Sequence, residues 1–137
     1  MVISPHVQMN VSDKTSLYQE ARRMLVTGGR LAIWDITAAT PGKLDYPLPW
    51  ADQPELSHLT SPDQLRATID AGGLAVAHWN DLTEQATALM KIVLSVPPRP
   101  LGLHTFIDNF AEKANNLTHG LSSGRLRVIQ GLAQATT

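Results

Sequence analysis

The sequence contains no cysteine, which removes a disulfide framework, a thiolate nucleophile and any Cys-ligated zinc or iron–sulfur centre. Neither charge is in excess: 11 Lys and Arg stand against 12 Asp and Glu, a net charge of −1. That balance offers no attractive field to nucleic acid or to an anionic membrane surface. Long hydrophobic runs are also missing. The most apolar stretch, Ala86–Val96, covers 11 residues and carries Lys91, whereas a membrane-spanning helix needs about 20. The opening Met1-Val-Ile-Ser-Pro-His6 lacks the basic start and apolar core of a signal peptide, so a soluble, cytoplasmic protein is expected. What remains is 43% hydrophobic, with nine glycines and nine prolines, a composition suited to one globular domain over residues 1–137. A domain of that size buries roughly 68% of the surface its unfolded chain exposes, enough for a real core.

Ser12 reads as the N-cap of a first helix, with Leu17, Ala21, Met24 and Leu25 at helical spacing and Gly28-Gly29 as its stop. Arg30–Ile36 follows as a near-continuous apolar run. Its lack of alternation predicts a strand buried on both faces, with Trp34 in the core. Helix, glycine turn and strand make the second half of a βαβ unit. Residues 37–60 then hold Pro41, Gly42, Pro47, Pro49 and Pro54 without a regular pattern. Connections of that length are lids, binding loops or disorder. Leu44, Tyr46, Leu48, Trp50 and Leu56 make this one too apolar for disorder, so a lid over a pocket is expected. Ser61-Pro62-Asp63-Gln64 carries a capping box and starts a helix that Gly72-Gly73 ends. Leu74–Trp79 reads as a strand, and Thr83–Leu94 and Leu101–Leu117 as helices. The second of these helices places Leu103, Phe106, Ile107, Phe110, Ala114 and Leu117 on one face. Gly120 and Gly124 mark the turn into a last strand, Arg125–Ala133. The fold class is α/β, a partial doubly wound sheet of three to four strands flanked by helices.

Chemistry-bearing residues are few. The five histidines, His6, His58, His78, His104 and His119, show no metal-ligand spacing among themselves or with local carboxylates, so no metal site is expected. No Walker loop or G-x-S-x-G is present, and the glycine pairs end helices rather than open them. The candidate is His6-Val-Gln-Met-Asn10. It stands before the first helix, where a βα loop at the carboxyl end of a strand belongs, and open α/β sheets bind ligands there. Asp35 marks the carboxyl end of the next strand. A plainer reading lets His6 and Asn10 merely satisfy backbone groups, and makes Trp50 the plug of a small satellite core.

In order along the chain stand His6-Val-Gln-Met-Asn10, Tyr18-Gln-Glu-Ala-Arg-Arg-Met-Leu25, Gly28-Gly-Arg-Leu-Ala-Ile-Trp-Asp-Ile36, Pro47-Leu-Pro-Trp-Ala51 and Ala71-Gly-Gly-Leu74. This series resembles the carboxyl half of the class I S-adenosylmethionine-dependent methyltransferases, nearest to the sarcosine/dimethylglycine and ubiquinone/menaquinone types. The resemblance covers nearly the whole chain. It implies S-adenosylmethionine as cofactor and a small-molecule methyl acceptor. It also implies His6 as base or acceptor-orienting group, and Gln8, Met9, Asn10 and Trp50 as substrate-binding residues. Methyl transfer relies mainly on placement of the reactants, and a histidine titrates near neutrality, as a base requires. The family's glycine-rich loop and the acidic residue ending its second strand hold the donor; neither has a counterpart in this sequence. The expected sheet therefore lacks the N-terminal donor-binding half.

On this resemblance Met1–Ser4 corresponds to the family's fourth strand, deprived of its usual neighbour. An edge strand is expected there, beside an uncovered apolar face of Leu31–Ile36, and such edges and patches invite another chain. A homodimer or intertwined swap follows, or a partner chain supplying the N-terminal half. The competing expectation has Leu101–Leu117 folding back over the gap. The alternative function is a non-catalytic remnant serving as a binding or interaction module, or one half of a split methyltransferase.

Overall fold

The computed structural model describes residues 1–39 and 43–137, so Pro41 and Gly42 of the expected lid lie outside the described residues. Strand β1 (Val2–Pro5), helix α1 (Lys14–Met24) and strand β2 (Arg30–Ala38) form the expected βαβ unit. β1 and β2 run parallel, with Val2 opposite Leu31 and Pro5 opposite Trp34. The cap of α1 is Asp13 rather than Ser12, because its carboxylate accepts both the backbone N–H and the hydroxyl of Ser16, at 3.0 and 2.6 Å. The helix also stops earlier than expected. Leu25 turns extended and buries its side chain. Gly28, at φ +77°, donates instead to Ala135 at 3.0 Å. That glycine fastens the chain to the last strand; only a residue tolerant of the left-handed region fits there.

Helix α2 (Pro62–Ala71) has the predicted capping box, Ser61 and Gln64 exchanging hydrogen bonds of 3.1 Å. It is followed by β3 (Leu74–Asp81), α3 (Thr83–Ser95), α4 (Phe110–Ser122) and β4 (Leu126–Ala135). The helix expected over Leu101–Leu117 is displaced. Leu103–Thr105 form only a short 3-10 turn, and α4 begins at Phe110 and runs on through Gly120. Gly120 is thus inside a helix, where the side chain of Leu126 packs against it.

The four strands lie in the order β1-β2-β4-β3, with β4 antiparallel to both neighbours. β1 is the edge expected of it. Residues of β2 alternate between two different surroundings. Leu31 and Ile33 join Tyr18, Ala21 and Leu25 of the α1 side, Leu65 and Ile69 of α2, and Leu74 and Ala133 of the sheet in one core. On the opposite face only the carboxyl end is covered. There Ile36 and Val128 pack with Leu117 and Leu121 of α4, Leu48 of the long connection and Met9 in a second core. Trp34 sits on this second face but before the covered part, and is 41% exposed rather than buried. Its neighbours Ile3, Ala32, His78, Gln130 and Leu132 share the uncovered stretch, an open concavity of about 580 Å³. α4 packs on the second core and leaves that stretch open. Among the described residues no helix is long and apolar enough to cross a membrane.

Candidate functional site

The loop after β1 is held to β2 by hydrogen bonds. His6 takes a left-handed conformation, φ +53°, and its backbone N–H donates to Trp34 at 2.8 Å. Val7 donates its N–H to Asp35 Oδ1 at 2.9 Å, and Gln8 Nε2 to the carbonyl of Ile36. Lys14 reaches back from the first turn of α1, donating to Val11 at 2.8 Å and to the carbonyl of His58. His58 in turn donates its N–H to Met9 at 2.8 Å. Loop, β2 and the far end of the long connection are thereby tied at one place, the carboxyl ends of β1 and β2.

Asp35 is fully buried, and among the described residues its Oδ2 finds no hydrogen-bond partner. Burial pushes its carboxyl up to about 7, against the opposing pull of the Val7 and Gln8 amides and of the Lys14 charge. Desolvation lowers Lys14, with Asp35 acting the other way. The Tyr18 phenol, buried beside them, is raised by the same desolvation and by the Asp35 charge. His6, although exposed, is lowered by partial desolvation.

The long connection becomes one wall of the site. It is shorter than residues 37–60, since Thr37 and Ala38 still belong to β2. Leu48 and Ala51 bridge each other by two backbone hydrogen bonds of 2.8 and 3.1 Å, and both are buried. Asn116 Nδ2 of α4 donates to Pro47 at 2.9 Å, Lys113 pairs with Asp52 at 2.9 Å, and His119 meets Asp45 at 2.7 Å. Trp50 is half-buried, its Nε1 donating to Ser57 Oγ at 2.9 Å. Leu56 is 57% exposed.

His6, Met9, Asn10 and Trp50 converge on a single cavity of about 650 Å³. Gln8 does not. Its side chain is fully buried and lies off the cavity wall, held in the protein by the Ile36 carbonyl. Met90, Leu103, Ile107 and Phe110 complete the wall. In the sequence Leu103, Ile107 and Phe110 looked like the core face of an amphipathic segment. The clue to their other role is Phe110, Leu103 and Ile107 aligned on an apolar face that the short sheet is too small to cover. Asn10 is exposed, and its side-chain amide makes only a long contact, 3.5 Å, to the His6 carbonyl. The cavity therefore has two polar groups, His6 and Asn10, at one end of an apolar hollow. Pockets that bind small molecules have this composition.

The fold recurs in solved structures. This is a methyltransferase fold. Geranyl diphosphate C-methyltransferase from Streptomyces coelicolor A3(2), solved with Mg²⁺, geranyl diphosphate and S-adenosyl-L-homocysteine, superposes with a TM-score of 0.73 at 16% identity, over 98% of this chain and 47% of its own. A Galdieria sulphuraria protein described as a sarcosine dimethylglycine methyltransferase gives 0.65 at 19%, over 98% and 52%. The 4+2 cyclase SpnF gives 0.63 at 15%, over 98% and 48%. The chain spans about half the length of these methyltransferase-fold proteins. No family model and no curated protein matches the sequence. The same fold thus carries methyl transfer and a cyclase, and function has to be argued from the site.

Proposed function

We propose that the chain supplies the acceptor-binding half of an S-adenosylmethionine-dependent small-molecule methyltransferase, corresponding to the carboxyl half of that fold. One observation carries the reading. The loop at the carboxyl end of β1 and the aromatic of the long connection, residues the resemblance assigns to the substrate, line one apolar cavity. Ligands of open α/β sheets bind at that end. The fit to S-adenosylmethionine is one-sided: His6 and Asn10 are exposed at the mouth, and the chain has no glycine-rich loop to cradle the rest of the donor. When bound, the donor supplies an electrophilic sulfonium methyl group.

The residues of this chain do the placing. Trp50, Met9 and Phe110 hold the acceptor in an apolar hollow, so its nucleophilic atom meets the mouth in a restricted orientation, the main source of rate in such reactions. Asn10 supplies a free amide to orient a polar group of the acceptor. His6 takes the acceptor's O–H or N–H proton on its ring nitrogen as the new carbon–oxygen or carbon–nitrogen bond forms. The donor, when bound, would release its methyl group in the same displacement, the carbon–sulfur electron pair staying on sulfur. A cytoplasmic setting accords with the absence of cysteine.

A second reading is favoured by the uncovered sheet face: a folded half that associates with a second copy or with a complementary chain and is not itself catalytic. We propose that the β1 edge and the face of Ile3, Ala32 and Trp34 form that contact. Calorimetric titration with S-adenosylhomocysteine, paired with labelled methyl transfer to amines and phenols, separates the two. Binding tighter than roughly 100 μM, about −5.5 kcal/mol, together with labelled product supports methyl transfer. A bound donor with total inertness across the panel removes the catalytic reading and leaves the module.

A further inference from the structure

The cavity does not end at Phe110. A second hollow of about 500 Å³ lies behind it, under Val96, Pro97 and Pro98, and the two share Val93, Leu103 and Phe110 as common wall. Inner and outer compartments thus adjoin, with Val93, Leu103 and Phe110 standing between them. Charge is distributed unevenly between them. The inner wall contains no Asp, Glu, Lys or Arg, and Arg99 lines only the outer one. Among the described residues no three His, Asp or Glu converge to hold a metal ion. An ionised phosphate in the inner compartment would meet no Lys, Arg or metal ion, only the His6 ring and the Asn10 amide, and a charge so weakly paired costs more to desolvate than apolar contact returns. An extended apolar tail would be welcome along the whole length.

We propose that the two hollows form one bipartite acceptor site for an elongated, apolar molecule whose reacting end is an uncharged hydroxyl or amine. That end lies at His6 and Asn10, and the tail passes Phe110 into the outer compartment. The inference rests on the acceptor-binding reading given above and narrows it. It sets this chain apart from the Streptomyces enzyme of the same fold, which was solved with a diphosphate and Mg²⁺. The uncovered sheet face is a poorer home for such a molecule, because His78, Asn80 and Gln130 interrupt its apolar surface.

The test is a binding series on the full chain with para-alkylphenols of increasing tail length, read by calorimetry and by tryptophan fluorescence. Kd is expected to fall at least tenfold from butylphenol to octylphenol. Four fully buried methylenes would set a ceiling of about 200-fold. Octylphenyl phosphate, with and without Mg²⁺, is expected to bind at least tenfold more weakly than octylphenol. Affinity independent of tail length, or phosphate binding equal to that of the phenol, overturns the proposal. Ala111 is exposed and lines only the outer compartment, so Ala111→Trp fills that compartment without crowding the core. It is expected to halt the gain at a shorter tail. An unchanged length dependence in this variant places the tail elsewhere and overturns the bipartite site. The readout needs no donor, so the two readings fail separately. Length-dependent binding without methyl transfer removes only the catalytic function, and methyl transfer without length dependence removes only this inference.

Discussion

His6 is lowered by partial desolvation, and a base must be unprotonated to act. The rate of methyl transfer, as kcat/KM, should therefore rise with pH through an inflection below the ordinary histidine value of about 6.5 and be flat above it. His6→Gln should remove the inflection and cost about 10²–10⁴-fold in rate, the usual worth of a positioned base. An inflection that survives in this variant would move the role to another group. Asp35 makes a prediction about stability. An aspartate in the unfolded chain ionises near 3.9, whereas the buried Asp35 does so near 7. Between those values the folded state keeps a proton that the unfolded state has lost. Stability should therefore fall as pH rises from about 4 to about 7 and level off beyond. Asp35→Asn retains an oxygen for the Val7 amide and cannot ionise, so the fall that Asp35 causes over that range should be absent from it. At about pH 8 it should exceed the wild type by about 2 kcal/mol, three units at 1.36 kcal/mol each setting the ceiling near 4. Lys14 keeps the gain toward the lower end, because the variant takes away the carboxylate that compensates its burial. Urea unfolding at about pH 5.5 and about pH 8 decides it; equal pH dependence in both proteins would sink the assignment.

The long connection depends on α4 for its position, and Asn116 is the most local of its ties. Asn116→Ala leaves the Pro47 carbonyl without its donor and should cost about 1–2 kcal/mol in urea unfolding. Acceptor affinity should weaken with it. Retained affinity would show that the wall stands on Leu48 and Trp50 packing alone. Gly120→Ala sets two effects against each other. Alanine gains about 1 kcal/mol of helix propensity. Its Cβ, however, would stand 2.6 Å from Cδ1 of the fully buried Leu126, and overpacking a tight core costs about 1–3 kcal/mol. A net loss is expected in the same melts, and a gain would mean that Leu126 has room to move. Much of this element pattern was legible beforehand. Ser61 and Gln64 announced α2, and the apolar run after Gly29 announced β2. Gly120 misled because a glycine required by a close approach looks, in sequence, like one required by a turn. Leu101–Phe106 misled because apolar periodicity is equally good for a helix and for a chain draped over a hollow. Trp34 misled because an unalternating strand is buried on both faces only where something covers both. Of the site, His6, Met9, Asn10 and Trp50 were legible as a cluster. Gln8 and the α3–α4 wall were not, since side-chain direction within a tight loop and the gap between two helices are tertiary facts.

At the scale of the whole molecule the half-covered sheet sets the expectation. Ile3 at 65% exposure lies in the edge strand and Met1 at 77% just before it, and large exposed apolar patches mark interfaces. Sedimentation at micromolar concentration should show a species near twice the 14.9 kDa of the chain. Ile3→Lys, which plants a charge on the edge, should return it to monomer. A clean monomer in the unsubstituted protein would leave the edge for a different chain. Another consequence concerns time rather than shape. β4 is the last strand in the sequence yet lies between β2 and β3, and its pairing with β2 joins residues 90 apart, as Thr37 to Arg127. Until Leu126–Ala135 has been synthesised, β3 has no partner and both cores lack the residues that β4 contributes. Such distant closures are slow and leave apolar surface open meanwhile. A nascent chain halted before Leu126 should be rapidly digested by protease, whereas a chain that includes β4 resists it. The protein is thus most exposed to degradation and to chaperones until β4 has been made and has paired.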